Sequence, residues 1–137
     1  MDLCTGQYRY LLSIYRLSAE KRRIRCVDIA DDLGVSRPSV SNMMKCMVRM
    51  ELVEPDYCEC VRLTAQGREL AKKFNSNYDM VYAFFRRMLR LTPVQAKEHA
   101  FRFMTDFPEE TVQKLAEVMR KSIENHQNKQ NSGENHR

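Results

Sequence analysis

The segment Val27 to Lys45, VDIADDLGVSRPSVSNMMK, constrains this chain more than any other. Ile29, Ala30 and Leu33 have the spacing of a short amphipathic helix. Gly34 follows where a terminating residue takes a left-handed φ. Ser36 is then a natural N-cap, and Pro38 falls in the first turn of a second helix, where its missing N–H costs nothing. That helix carries Val40, Met43, Met44 and Met47 inward as far as about Met50. Ala30 is small where the two helices cross, and Val35 and Val40 are expected to fill the angle between them. Ser36, Arg37, Ser39, Ser41 and Asn42 leave the start of the second helix polar. Two helices joined this tightly, with a polar leading edge on the second, form the pattern of a helix-turn-helix. The competing reading is a helical hairpin with an ordinary polar surface.

The flanking sequence completes a mainly α architecture. Tyr8 to Leu17 has helical spacing at Leu11, Ile14, Tyr15 and Leu17, and Arg23 to Cys26 reads as an extended link. Leu52 to Leu63 contains two short alternating runs about Pro55-Asp56, as in a small β-hairpin, the wing. Thr64 begins a long helix reaching Leu89 or Arg90, Thr92-Pro93 caps and opens another through Phe103, and Pro108-Glu109-Glu110-Thr111 opens the last. Beyond Ile123 the residues are Asn, Gln, His, Lys, Gly and Ser, a composition that predicts disorder. The expectation is a winged helix-turn-helix domain over 1–63, an α-helical dimerisation domain over 64–124 and a disordered tail over 125–137. The C-terminal helices have wide apolar faces and little sequence for a core of their own, so pairing with a second copy is the natural way to bury them.

Charge and composition fit a soluble, DNA-binding chain. The formal charge is +5, and the run Lys21-Arg22-Arg23-Ile24-Arg25 lies beside the helix-turn-helix. Arg86, Arg87 and Arg90 form a second basic group, read as a solvated face. No apolar run approaches the ~20 residues needed to span a bilayer. The first residues lack the features of a signal peptide, so a cytoplasmic location is expected. Five cysteines at irregular spacing argue against a disulfide framework, and Cys26 and Cys46 read as small core residues. No nucleophile–base pair or glycine-rich phosphate loop appears, which points away from an enzyme.

The candidate DNA-facing residues are Ser36, Arg37, Pro38, Ser39, Asn42 and Lys45, with Arg62 on the wing. An amide at Asn42 matches the donor–acceptor edge of adenine, and Arg37 matches guanine or a phosphate. Ser36 and Ser39, with the N–H groups of the helix start, suit phosphate oxygens.

Taken together, Tyr10-Leu11-Leu12-Ser13-Ile14-Tyr15-Arg16-Leu17, the Asp28-Ile29-Ala30 to Val40-Ser41 block, Leu63-Thr64-Ala65-Gln66-Gly67-Arg68 and Pro108 to Leu115 resemble the diphtheria toxin repressor and manganese transport regulator family. The resemblance spans about Tyr8 to Ile123 and implies a homodimeric, metal-dependent repressor of duplex DNA. It places Ser36, Pro38, Ser39 and Asn42 where that family contacts DNA. It also implies metal ligands on the first helix, the long helix and the next helix, and these positions fall on Arg9, Leu12, Tyr78, Phe101, Met104 and Thr105.

None of those six side chains is a carboxylate, imidazole or thiolate, the ligands that Mn²⁺ or Fe²⁺ favours. Arg9 repels a cation and keeps its proton, while Leu12, Phe101 and Met104 are suited to an apolar plug. No cofactor is therefore expected, and the family's Mn²⁺ or Fe²⁺ would need non-family ligands. Glu98-His99 resembles a ligand pair but sits six residues early in the helix register, and is read as solvent-facing. Cys58-Glu59-Cys60 places both thiols on one face if the wing is a regular strand, which leaves open a soft-metal or redox role. His126 and His136 lie in the tail and are given no role. Two further classes stay open: a sensor of another metal, a small molecule or thiol oxidation on this scaffold, and a protein-interaction module that has lost DNA binding.

Overall fold

The computed structural model describes residues 3–134 and contains six helices: α1 (Thr5–Glu20), α2 (Cys26–Leu33), α3 (Arg37–Arg49), α4 (Ala65–Arg87), α5 (Pro93–Asp106) and α6 (Glu109–Glu134). The chain divides into two compact units, the first ending at Asn75 and the second beginning at Ser76. The division falls inside α4 rather than at Leu63. The first turns of α4 belong to the first unit because Ala71 is buried in its core and Phe74 stacks on Tyr8 at 4.4 Å.

In the first unit α1, α2 and α3 close over Leu11, Ile14, Ile29, Val40, Met44 and Met47, all fully buried. Each such side chain contributes about 1.5–3 kcal/mol by leaving water. Ser13, the buried polar residue of α1, donates its hydroxyl to Asp32 of α2 at 2.6 Å, which fixes the two helices in register. Gly34 ends α2 at φ 66° and ψ 38°, the left-handed cap that the sequence predicts. Val40 is buried as expected, but Val35 remains 37% exposed and only partly fills the inter-helix angle.

The segment after α3 departs from the expected hairpin. Among the described residues its pairing is a single antiparallel bridge, Val53 to Leu63, flanked by Glu54 N–H to the Arg62 carbonyl at 2.9 Å. Pro55 has no N–H to extend the ladder. The next residues instead coil into a turn in which Glu59 N–H donates to the Asp56 carbonyl at 3.1 Å. The base of this wing is held from two sides. Val61 N–H donates to Ile24 in the link before α2 at 2.8 Å, and Thr64 N–H donates to Leu52 at 3.0 Å.

Thr64 also caps α4. Its hydroxyl donates to the Glu51 carbonyl at 2.6 Å and accepts from Gly67 N–H at 3.0 Å. Gly67 then passes so close to Leu52 that a Cβ there would collide with the Leu52 carbonyl oxygen. The obstacle is backbone on both sides, so no rotamer change relieves it.

The second unit holds the rest of α4 with α5 and α6. Val81, Ala96, Ala100 and Ala116 are fully buried, and the three alanines allow close helix packing. Arg120 of α6 donates to Ser76 of α4 at 3.2 Å. Thr92 and Gln95 form a reciprocal capping box at the start of α5, with Pro93 in the first turn. The expected disorder from residue 125 is not found over 125–134, where α6 continues. Once the packed turns through Met119 have nucleated it, each further residue adds one hydrogen bond, and no proline interrupts the run. His126 is paired with Gln130 at 3.3 Å on this extension, and His136 lies outside the described residues. Among the described residues no helix is long and apolar enough to cross a membrane.

Replacing Gly67 with alanine should destabilise the protein by about 1–3 kcal/mol, the usual cost of forcing a methyl into filled space. The midpoint of urea unfolding of G67A against wild type measures this.

Candidate nucleic-acid interface

The polar edge of α3 is built from its cap outward. Ser36 accepts from Ser39 N–H at 3.2 Å, and the two hydroxyls lie 2.8 Å apart, one donating to the other. Both remain exposed, so any oxygen acceptor they meet must share them with this local network. Arg37, Pro38, Asn42 and Lys45 are exposed, while Val40, Met44 and Met47 face the core. At 100° per residue, positions 38, 42 and 45 share one stripe opposite the buried one. Arg49 continues that stripe and is exposed too. The sequence signal for it was available: it stands four residues after Lys45 and seven after Asn42.

Two basic side chains are already engaged. Arg62 on the wing is held by Asp56 across the turn, so its guanidinium is positioned by a carboxylate rather than left to swing. Lys21 pairs with Asp28 at 3.1 Å. Asp28 also accepts from the Arg25 N–H at 2.9 Å, and these contacts hold its carboxyl below the ordinary aspartate range, the backbone bond foremost. Arg22, Arg23 and Arg25 are exposed in the link before α2. With Lys45 and Arg49, these put positive charge on the link and on α3, within one compact unit.

The six positions at which the resemblance implies metal ligands carry little donor chemistry. On α1, Leu12 is 3% exposed and Arg9 is half-buried. In the second unit Tyr78 and Phe101 are buried against one another, ring centroids 5.0 Å apart and planes tilted by 50°. Thr105 turns its hydroxyl to the Phe101 carbonyl at 2.9 Å, and Met104 is half-buried. A guanidinium, an isobutyl group, two packed aromatic rings, a thioether and a committed hydroxyl do not fit Mn²⁺ or Fe²⁺. Among the described residues no group of three or more His, Cys, Asp or Glu is placed to hold a metal ion. Glu98 and His99 are exposed, Glu98 facing Arg102 at 3.9 Å and His99 lying edge-on to Phe85 at 6.0 Å.

The cysteines are arranged differently from the sequence expectation. Cys58 is exposed and Cys60 buried, because the turn breaks the strand alternation that would have aligned them. Cys26 and Cys46 are both half-buried, and Cys26 packs against the core of the first unit.

Comparison with known proteins bears on this arrangement. The family described as "Iron dependent repressor, N-terminal DNA binding domain" matches residues 2–57. Proteins named transcriptional regulator MntR from Escherichia coli O6:H1 and O157:H7 are 34% identical over 103 residues, 75% of this chain and 66% of theirs. The solved structure of the manganese regulator SloR is 27% identical, with a TM-score of 0.73 over 83% of this chain and 53% of that one. ScaR with bound Zn²⁺ is 25% identical, with a TM-score of 0.66 over 82% of this chain and 53% of its own. The chain thus spans 66% of the length of the curated relatives and about half that of these solved structures.

Proposed function

The chain belongs to the diphtheria toxin repressor and manganese transport regulator family, and on that premise we propose a homodimeric, sequence-specific repressor of duplex DNA that works without the family's Mn²⁺ or Fe²⁺ site. The observation that carries the DNA reading is the exposed stripe of Pro38, Asn42 and Lys45 on α3, entered through the Ser36 cap. A helix presented this way enters the major groove with its N-terminal side chains at the base edges. Arg37 and Asn42 supply base-reading groups there. Ser36 and Ser39 supply hydroxyls for phosphate, and Lys45 supplies a point charge. Arg62, oriented by Asp56, serves the backbone beside the wing. The curated relatives are transcriptional regulators rather than enzymes, and a cytoplasmic setting goes with this reading.

Dimerisation through the second unit is supported by its surface. Met88, Leu89, Val94, Phe107 and Val118 are each more than half exposed, with Val94 at 80%. Large apolar side chains left in water on one unit suit a surface that associates. A dimer also gives the recognition helices a two-fold relation suited to a palindromic site.

Freedom from the family metal is supported by the side chains at the six positions. Tyr78 and Phe101 fill each other's space, and Leu12 is buried, so these positions serve packing rather than coordination. The protein is then constitutive, or answers to a different signal.

DNA from upstream of its own gene should be retarded by the protein, with affinity falling steeply as salt rises. Arg37→Ala or Asn42→Ala should weaken specific binding by about 1–3 kcal/mol while sparing random DNA. No retardation at low salt would overturn the DNA reading, and equal losses on both DNAs would reduce the two residues to backbone contacts. In sedimentation the free protein should run at twice its 16.2 kDa chain mass. The pair Val94→Glu and Val118→Glu should return it to one chain mass, and a monomeric wild type would contradict the dimer.

A further inference from the structure

Cys58 and Cys60 are separated only by Glu59, but the fold gives Cys58 a different neighbour. Cys26 is the first residue of α2, and its Sγ lies 3.9 Å from the Tyr57 carbonyl oxygen. That carbonyl is bonded directly to the Cys58 amide. By standard backbone dimensions the Cys58 Cα is then at most about 7 Å from the Cys26 Sγ. Cys60 is buried, and its thiol is directed to the adjacent Val61 carbonyl at 4.0 Å. The approach of Cys26 and Cys58 is fixed from both sides. Val61 N–H is bonded to Ile24 just before α2, and the turn carrying Cys58 is closed by Glu59 and Cys60 N–H groups on the Asp56 carbonyl.

We propose that Cys26 and Cys58 are a dithiol pair that peroxide converts into an intramolecular disulfide, fastening the wing turn to the first helix of the helix-turn-helix. The bond needs the two sulfurs about 2 Å apart, and the exposed turn that carries Cys58 is the part that moves to bring them there. Cys58 is exposed to the oxidant, while Cys26 is half-buried. Burial pushes the Cys26 thiol up, and negative charge on Cys58 pushes it further. Cys58, the exposed thiol, therefore meets the oxidant and takes the attacking role, and the half-buried Cys26 resolves.

The chemistry balances with hydrogen peroxide as oxidant. The Cys58 thiolate attacks one peroxide oxygen, the O–O bond breaks, and Cys58 becomes a sulfenic acid with release of hydroxide. The Cys26 thiolate then attacks the sulfenyl sulfur, forming the S–S bond and expelling a second hydroxide. With the two thiol protons the products are one disulfide and two waters. The two sulfurs lose two electrons, and the peroxide gains them.

The bond would enclose α2, the Gly34 turn and α3 in one covalent loop. It rests on geometry within the first unit and stands whether or not the protein binds DNA.

The test uses the full chain, reduced, treated with hydrogen peroxide, alkylated and mapped by mass spectrometry without reduction. Two of the five thiols should escape alkylation, and the Cys26 peptide should appear joined to the wing peptide, two hydrogens lighter than the sum. Dithiothreitol should restore all five. Cys58 and Cys60 share a tryptic peptide, so variants make the assignment. The link should survive Cys60→Ser and vanish in Cys58→Ser, while Cys26→Ser should leave a dimedone-reactive sulfenic acid on Cys58. A link that survives Cys58→Ser, a link only between copies, or five thiols still alkylated after peroxide would overturn the proposal.

Discussion

The wing and the start of α4 depend on the corner where Leu52 meets Thr64 and Gly67. The Leu52 carbonyl accepts from Thr64 N–H at 3.0 Å, the Thr64 hydroxyl reaches Glu51, and Gly67 crosses with no room for a side chain. The contact closes the wing into a loop, since Leu52 and Thr64 are its two ends. It also fixes where α4 begins. Glu51 adopts φ 61° at this corner, a left-handed conformation that a glutamate takes only when its surroundings impose it. The Thr64 hydroxyl on its carbonyl is one such constraint.

From that corner the two faces of α3 acquire their separate roles. Val40, Met44 and Met47 are committed to the core that α1 and α2 share. The opposite stripe is thereby held outward on a rigid element, which is what base reading requires. Ser36 and Gly34 set the angle at which the stripe is offered, one by capping α3 and the other by ending α2. The wing contributes less regular structure than its sequence suggests, yet its Arg62 is still oriented, through Asp56 rather than through a strand.

Much of this was legible in the residues because it is local. The Gly34 turn, the Ser36 cap, Pro38 in the first turn and the Thr92-Pro93 start of α5 are signals whose physics acts over four residues. What was not legible depends on distant partners or on competition. The alternation in Leu52–Leu63 was real, but Pro55 and the Asp56 turn outcompete the ladder. The polar residues of 125–134 look disordered in isolation and are helical as a continuation of α6. The place where one unit ends could not be read from Leu63, because Phe74 finds Tyr8 across the sequence. The neighbour of Cys58 is thirty-two positions away at Cys26, beyond any spacing rule. Within the candidate interface, Ser36, Arg37, Pro38, Ser39, Asn42, Lys45 and Arg62 are all exposed, and Arg49 joins the stripe only through the helical register of the end of α3.

Family membership and site chemistry point in different directions on one matter, the metal. Tyr78 and Phe101 occupy each other's space, and Leu12 is buried, where the resemblance implies ligands. The most direct measurement is the affinity for upstream DNA of protein treated with EDTA, before and after adding Mn²⁺, Fe²⁺ or Zn²⁺. The account predicts full retardation by the stripped protein and no change on adding any of the three ions. Loss of binding in EDTA with recovery in Mn²⁺ would contradict it.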